Sequence, residues 1–264
     1  MRLRFVLRFC LAVLVLIGPA AAAARAAVVT YPGSAPCDTT LQACVTGTAA
    51  GNVVEIATSV PIVELVTVAQ SLTLQPAAGF SPVVQGGFLV TGGATTTTVT
   101  LQGLTIQGSV TGLPGAGAFN LSVLDDVIKV DAPFGRGIWV TSGPTGPFGN
   151  VTADIRRNQI TVTTPDFHPC SGIEFGPILD AGSDLLTILE NTVTATGCGQ
   201  GAGIQITNGA AEVLNAFVFS NRVVATGTNA GIFVETETPD PAGALTAQVV
   251  DNLVTGQTNI AGLP

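Results

Sequence analysis

The chain has 264 residues, of which 47% are hydrophobic and only 10% are charged, whereas about 25% is typical of soluble proteins. Its formal net charge of −8 makes it a poor candidate for binding nucleic acid or an anionic membrane surface. Most polar positions are filled by Thr, Ser, Asn, Gln and Gly, and this composition favours strands joined by tight turns over helices.

The first 26 residues are typical of a signal peptide. Three arginines within residues 1–8 precede an apolar stretch over residues 9–17, and Ala24-Arg25-Ala26 has the pattern of a cleavage site. A membrane anchor is the alternative, but the apolar stretch is too short to span a bilayer comfortably. Cleavage removes four of the nine basic residues and leaves five against seventeen acidic ones, a net charge of −12. The sequence therefore predicts a secreted protein, extracellular, on the cell surface or periplasmic, that does not span the membrane after cleavage.

Four cysteines follow the leader. An even number of cysteines in an exported chain suggests two disulfides, and proximity in the sequence favours the pairs Cys37–Cys44 and Cys170–Cys198. A zinc site is the competing interpretation. It has little support, because the chain has no C-x-x-C pair and a single histidine. No metal site is predicted from the cysteines.

Residues 27–264 are predicted to form one domain built from a repeat. A short helix is expected near residues 39–45, and short strands with alternating apolar residues follow it. From Thr152 onward, a strand ends at Asn, a second strand begins at once, and a Gly-rich turn leads to Gly-Ile. The asparagines recur every 30 to 33 residues and the glycines every 28 to 35. They are Asn158, Asn191, Asn221 and Asn252, and Gly137, Gly172, Gly203 and Gly231.

The repeat predicts a parallel β-solenoid. Each strand is too short to bury a core alone, whereas stacking equivalent strands about 4.8 Å apart pairs every backbone with its neighbours. From Val53 to Val254 this gives seven or eight rungs, with the asparagines forming a ladder at a corner that tolerates left-handed backbone geometry. Gly103 and Asp126 are expected at the Asn position of earlier rungs. On the Gly-Ile strands, the alternate positions that face outward are Trp139, Glu174, Gln205 and Phe233.

The region resembles the right-handed parallel β-helix, or pectin-lyase-like, superfamily. The opening coil is similar in residues 41–44, 49–56, 71–74 and 79–84. The resemblance implies an all-β, three-faced, right-handed β-helix with a short N-terminal capping helix. It implies little about activity, since lyases, hydrolases, adhesins and inert passengers share this fold. Members that cleave polysaccharides use clustered carboxylates on outward strand positions, beside Ca²⁺ or an Arg or Lys base.

Two clusters of side chains are candidates for function. The outward file of the Gly-Ile strands holds aromatic rings at both ends and a single carboxylate, which favours binding of a glycan without cleavage. The second cluster is either a catalytic or cation-binding groove, in which Ca²⁺ is the one cofactor worth considering, or a solvated loop tied by Cys170. Its residues are Asp166, His168, Glu174, Asp180 and Asp184, with Arg156 and Arg157 one strand earlier. The Asp125-Asp126 pair has the same two interpretations, a cation site or a turn with a ladder position.

Three functions remain open at this point. The first is a non-catalytic exported β-helix that binds carbohydrate or a cell surface, as an adhesin does. The second is a polysaccharide lyase or glycoside hydrolase, and the third is a structural passenger from a longer surface protein. Because the printed chain ends within a rung at residues 260–264, the C-terminal end is expected to be truncated or to pack on another chain or a missing segment.

Overall fold

The computed structural model describes residues 25–142, 148–164, 168–176, 182–209, 213–227, 230–236 and 244–256. Within these ranges the chain is almost entirely β-strand, with one short helix. The predicted leader lies outside the described residues except for its last two positions.

The strands are short and follow one another closely. The first elements are β1 (Val28–Tyr31), α1 (Leu41–Gly47), β2 (Asn52–Ile56), β3 (Ile62–Val63), β4 (Val66–Val68), β5 (Leu72–Pro76), β6 (Val83–Gln85), β7 (Phe88–Thr91) and β8 (Thr97–Gln102). Next come β9 (Thr105–Gln107), β10 (Val110–Leu113), β11 (Phe119–Leu124), β12 (Val127–Asp131), β13 (Arg136–Val140), β14 (Val151–Arg156), β15 (Gln159–Thr163) and β16 (Ser171–Phe175). The last are β17 (Ser183–Leu189), β18 (Thr192–Cys198), β19 (Ala202–Asn208), β20 (Val213–Phe219), β21 (Arg222–Gly227), β22 (Ala230–Thr236), β23 (Ala244–Val250) and β24 (Leu253–Thr255).

Three parallel sheets form the faces of a right-handed β-solenoid, as predicted. Sheet A has nine strands in the order β1-β2-β5-β8-β11-β14-β17-β20-β23, and sheet B has eight in the order β24-β21-β18-β15-β12-β9-β6-β3. Sheet C has seven strands, β22-β19-β16-β13-β10-β7-β4. One rung consists of one strand from each sheet, taken in the order A, B, C. The rungs stack because each backbone fulfils its hydrogen bonds only with the rungs before and after it.

The core is a set of inward files that run along the solenoid axis. Alternate residues are buried in the strands between the two ends of the solenoid, as in the pattern of β14, because successive side chains point to opposite faces. The end strands β1, β23 and β24 have no buried residue. On sheet C the inward files are aliphatic apart from two aromatic residues, Phe88 and Phe175, and are at most 8% exposed. They include Ile138, Val140, Ile173, Phe175, Ile204, Ile206, Ile232 and Val234.

Helix α1 covers the N-terminal edge of sheet C. Thr40 caps the helix by accepting a hydrogen bond from the Ala43 backbone amide at 3.0 Å. The Glu64 carboxylate accepts from the first two helical amides, at 3.1 and 2.9 Å. The Gln42 side chain accepts from the Thr67 amide at 2.6 Å and donates to the Thr67 carbonyl at 3.0 Å. Gln42 therefore occupies the open edge of β4 as a missing strand would, and the predicted capping helix is confirmed.

Both predicted disulfides are present. Cys37 and Cys44 have Cα atoms 4.1 Å apart, and Cys170 and Cys198 have Cα atoms 5.4 Å apart. The first pair joins α1 to the segment before it. The second joins two successive rungs, because each of its cysteines precedes a strand of sheet C.

An asparagine ladder runs along the corner between sheets A and B. The side-chain Oδ1 of Asn191 accepts from the backbone amide and from Nδ2 of Asn158, both at 2.9 Å. Its own Nδ2 donates to the Ile155 carbonyl at 2.9 Å and to Asn221 Oδ1 at 3.0 Å. The same pattern continues from Asn221 to Asn252. The side chains of Asn158, Asn191 and Asn221 are thereby paired with the rungs on both sides.

Two details of the predicted corner are wrong. Gly103 lies one position before the ladder, and Leu104 occupies the ladder position, since its amide donates to Asp126 Oδ1 at 2.6 Å. The left-handed backbone also belongs to the preceding residue rather than to the asparagine. Positive φ values occur in successive rungs at Gly103, Asp125, Arg157, Glu190, Ser220 and Asp251. The chain turns between the two strands at this residue, and the asparagine after it is free to extend inward.

Replacement of Asn191 by Ala is expected to destabilise the protein by roughly 1–3 kcal/mol, because the buried amide groups of Asn158 lose their acceptor. Asn215→Ala is the matched control. Asn215 is half-buried on the outer face of sheet A, so its loss should cost under about 0.5 kcal/mol. Urea denaturation measures both variants. Equal midpoints for the two would contradict a structural role for the ladder.

Candidate functional site

The four outward residues of the Gly-Ile strands form an unbroken file. Trp139 pairs with Glu174, Glu174 with Gln205, and Gln205 with Phe233, each on the neighbouring strand of sheet C. We call these four residues the sheet C strip. At about 4.8 Å a rung, the strip is roughly 15 Å long. All four are half-buried, so each side chain presents part of its surface to solvent.

Arg136 joins two members of the strip and was not predicted. Its Nε lies 2.6 Å from Glu174 Oε2, and its guanidinium carbon lies 4.3 Å from the centre of the Trp139 ring. A guanidinium group stacks well on an indole face and pairs with a carboxylate at the same time. The side chains of Arg136 and Glu174 are 31% and 13% exposed. Arg136 therefore fixes the orientation of both the ring and the carboxylate.

This contact changes the expected role of Trp139. The sequence predicts an open aromatic ring at each end of the strip, but the guanidinium of Arg136 covers one face of the indole. The indole Nε1 is buried and has no hydrogen-bond partner among the described residues. Phe233 is therefore the ring of the strip that is better placed for stacking, and Trp139 supports Arg136 and Glu174.

A second acidic residue lies beside the strip. Glu235 is half-buried two positions after Phe233 on β22 and pairs with Thr207 of β19. The Thr207 hydroxyl lies 3.4 Å from Glu235 Oε1. By strand geometry, the Cα atoms of Glu174 and Glu235 are roughly 12 Å apart. The outer face of sheet C thus carries two separated carboxylates instead of a converging pair.

The candidate catalytic residues are not gathered into one groove where the structure describes them. His168 lies against Phe134, with ring centres 4.5 Å apart. Arg156 pairs with Asp154 on the outer face of sheet A, whereas Glu174 is on sheet C. Asp166 and Asp180 lie outside the described residues.

Asp184 has a structural environment. It is 1% exposed and points into the solenoid at the start of β17. Its Oδ1 accepts a hydrogen bond of 2.6 Å from the Val151 amide, at the start of the preceding strand of sheet A. A buried carboxylate with this contact satisfies a backbone donor and is shielded from solvent, so it is not exposed to a substrate in a surface groove.

The Asp125-Asp126 pair divides into one surface residue and one buried residue. Asp125 is bound by Arg157 through two hydrogen bonds of 2.7 and 2.9 Å, and the hydrogen bond from Arg157 lowers the pKa of the Asp125 carboxyl. Asp126 occupies the ladder position before Asn158 and is 1% exposed. Burial raises the pKa of the Asp126 carboxyl to about 7, although the hydrogen bond from the Leu104 amide opposes the shift. The pair therefore has the predicted turn and ladder geometry.

Sheet A carries a pair of neighbouring aromatic residues that was not predicted. Phe217 and Phe219 are alternate outward residues of β20 on sheet A, with ring centres 6.1 Å apart and planes inclined by 18°. Their neighbours on the adjacent strands are Thr187 and Leu189. The two-residue spacing in Phe217-Val-Phe219 was a usable signal, but without a strand register it could not be distinguished from loop packing.

The described residues give no sign of a metal site or a membrane span. No group of three or more His, Cys, Asp and Glu side chains within them could hold a metal ion. No helix in the same part of the chain is long and apolar enough to cross a membrane. Residues 260–264, on which the expectation about the C-terminal end depends, lie outside the described ranges.

Comparison of the chain with known proteins gives no match, either to a protein-family model, to a curated protein or to a solved structure. The β-solenoid fold and the geometry of its faces are therefore the basis for a functional proposal.

Proposed function

We propose that this chain is an exported, non-catalytic carbohydrate-binding protein that contacts its glycan through the sheet C strip. The observation that supports the proposal is the unbroken outward file of Glu174, Gln205 and Phe233. It places a carboxylate acceptor, an amide and an aromatic ring in a line along the solenoid axis. A linear surface of this kind suits a few consecutive sugar units better than a compact metabolite.

The charge arrangement of the strip supports binding over cleavage. Glycosidases need two carboxyl groups separated by about 5–9.5 Å on either side of the scissile bond. Glu235 lies two rungs from Glu174, and Glu174 is already bound by Arg136. The described acidic residues therefore support an adhesin-like role, and the lyase or hydrolase alternative depends on Asp166 and Asp180.

Export is the second part of the proposal. The leader-like residues 1–26 support it, and two disulfides are compatible with an oxidising compartment. The resemblance of the opening coil to the pectin-lyase-like superfamily agrees with this assignment, since many proteins with this fold act outside the cell. Surface exposure would give the strip access to extracellular glycans.

The binding test uses the single tryptophan of the chain. Because Trp139 belongs to the strip, its fluorescence should respond most strongly to a ligand at this site, and isothermal titration calorimetry detects binding at any site. Titration of the mature protein with neutral polysaccharides is expected to shift the emission with saturation. Phe233→Ala should weaken binding about fivefold, from the loss of about 1 kcal/mol of ring contact. Phe217→Ala, on sheet A, should leave the affinity unchanged.

Three outcomes would count against the proposal. Binding that is equally weakened by Phe217→Ala would move the contact to sheet A. Shortened or unsaturated products that disappear in Asp166→Asn or Asp180→Asn would favour the lyase or hydrolase alternative. No binding of any polysaccharide would favour a structural passenger.

A further inference from the structure

We infer that the sheet C strip recognises a neutral glycan. In this inference Arg136 is a positioning residue, which orients the Glu174 carboxylate so that its free oxygen accepts hydrogen bonds from sugar hydroxyls. The inference rests on the proposed function and specifies its ligand class. It depends on the contacts of Arg136, on the polar groups that remain for a ligand, and on the charge of the surrounding chain.

Arg136 is the basic residue beside the strip, and its charge is already balanced by Glu174. Its Nε donates to Glu174 Oε2 at 2.6 Å, while its guanidinium carbon lies 4.3 Å from the centre of the Trp139 ring. Binding of a uronate or sulfate by the other N–H groups of Arg136 would bring a second anion beside the Glu174 carboxylate, and like charges at this range repel each other. Withdrawal of Arg136 from Glu174 would leave the Glu174 side chain, which is 13% exposed, as a largely buried and uncompensated carboxylate. Arg136 is therefore poorly suited to hold an anionic sugar.

The groups that remain along the strip match hydroxyl groups. Arg136 takes Oε2 of Glu174 and leaves Oε1 as an acceptor. On the next strand, Oε1 of Gln205 lies 3.4 Å from the Ser171 hydroxyl, which leaves the amide NH₂ of Gln205 as a donor. The acceptor of Glu174 and the donor of Gln205 stand on neighbouring strands, about 4.8 Å apart. Each can bind a hydroxyl of a neutral sugar, because a hydroxyl both donates and accepts hydrogen bonds.

The charge of the chain acts in the same direction. Acidic residues outnumber basic ones by 17 to 9 over the whole sequence, and Glu235 adds a carboxylate beside Phe233. An acidic surface lowers the local concentration of anionic ligands and slows their association. A neutral glycan is not subject to this repulsion, so the strip favours neutral over acidic glycans.

The experiment compares polymers that share a backbone and differ in charge. Trp139 fluorescence is titrated with hydroxyethyl cellulose and carboxymethyl cellulose, and with dextran and dextran sulfate, at low and at physiological salt. Binding to at least one neutral member is expected to be tenfold or more tighter than to its charged counterpart. The difference should shrink at higher salt, because salt screens the repulsion.

Two variants test the role of Arg136. Arg136→Met removes the charge but keeps an apolar side chain over Trp139. It is expected to weaken neutral-glycan binding about tenfold and to change the emission of the free protein, because the cation no longer lies over the indole. Arg136→Lys keeps a charge without the planar contact and is expected to recover only part of the affinity. Arg222→Met, on sheet B, is the matched control and should bind as the unchanged protein does.

The outcomes separate this inference from the proposed function. Tighter binding to the charged polymers, or unchanged neutral-glycan binding in Arg136→Met, would overturn the neutral-glycan inference and leave carbohydrate binding intact. Failure of all four polymers together with a wider panel of neutral and acidic polysaccharides would overturn both.

Discussion

Asp126→Asn is expected to stabilise the protein by about 4 kcal/mol at pH 8. The carboxyl of Asp126 is buried in the ladder, where its Oδ2 has no hydrogen-bond partner among the described residues. Asn158 has the equivalent position in the next rung, and its Nδ2 donates to the Val123 carbonyl at 2.8 Å. Since Val123 pairs with Leu101, an asparagine at 126 would donate to the Leu101 carbonyl.

The sign of the pH dependence follows from the raised pKa of Asp126, which is about 7 in the folded protein against an ordinary value of 3.8. The folded state binds the proton more tightly than the unfolded chain does. The stability that a protonated Asp126 contributes is therefore fully present below about pH 4 and is lost as the pH rises from about 4 to 7. The amide of Asp126→Asn does not titrate, so this loss should disappear in the variant.

Urea denaturation at pH 5, 6, 7 and 8 measures the effect. The control is Asp125→Asn, in which an exposed carboxylate paired with Arg157 is removed and asparagine keeps the left-handed backbone at little cost. It should change the free energy of unfolding by no more than about 1 kcal/mol. A pH slope in Asp126→Asn equal to that of the unchanged protein would show that another group is responsible.

Gly203→Ala is expected to destabilise the protein by about 3 kcal/mol or more. A Cβ at this position would lie 2.2 Å from Cγ1 of Val223 and 2.8 Å from the carbonyl oxygen of Gly231, both in the next rung. These are core atoms that cannot move away without separating the rungs. The glycines of the repeat are therefore explained by this close approach between successive rungs.

The corresponding glycine of the next rung allows a sharper test. Among the described residues, the three atoms nearest to a Cβ at Gly231 would all belong to Val254, with Cγ1 at 2.0 Å. Val254→Ala should therefore rescue most of the stability lost in Gly231→Ala, whereas Val223→Ala should rescue Gly203→Ala only in part, because the Gly231 carbonyl remains. Strictly additive effects in the Gly231 pair would contradict a steric origin.

Much of the fold was predictable because the repeat records the same contact several times. Asn191 and Asn221 recur in phase with Gly172 and Gly203 because each rung must present the same corner and the same close approach to the next. The Cys170–Cys198 disulfide followed from the same spacing, since its two cysteines are one rung apart. The inward and outward sides of β13, β16, β19 and β22 followed from the alternation of strand residues.

Two predictions were wrong for different reasons, one because of strand register and one because of unexpected burial. A shift of one position separates Gly103 from Leu104, and the sequence pattern of the early rungs was too degenerate to fix it. Asp184 resembled a loop residue because a carboxylate is rarely buried, and only the position of the Val151 amide in the preceding rung explains its burial.

The repeating fold, its disulfides and the outward file of Trp139, Glu174, Gln205 and Phe233 were predictable from the sequence, because they depend on periodicity and strand alternation. The contacts that the side chains of this file make were not. Arg136 and Glu174 are 38 residues apart in the sequence, and no periodic pattern states which outward side chains will pair across rungs. The stacking of rungs brings Arg136 Nε to 2.6 Å from Glu174 Oε2 and places the guanidinium over the Trp139 ring. The ring therefore packs against the ion pair instead of being open to a ligand.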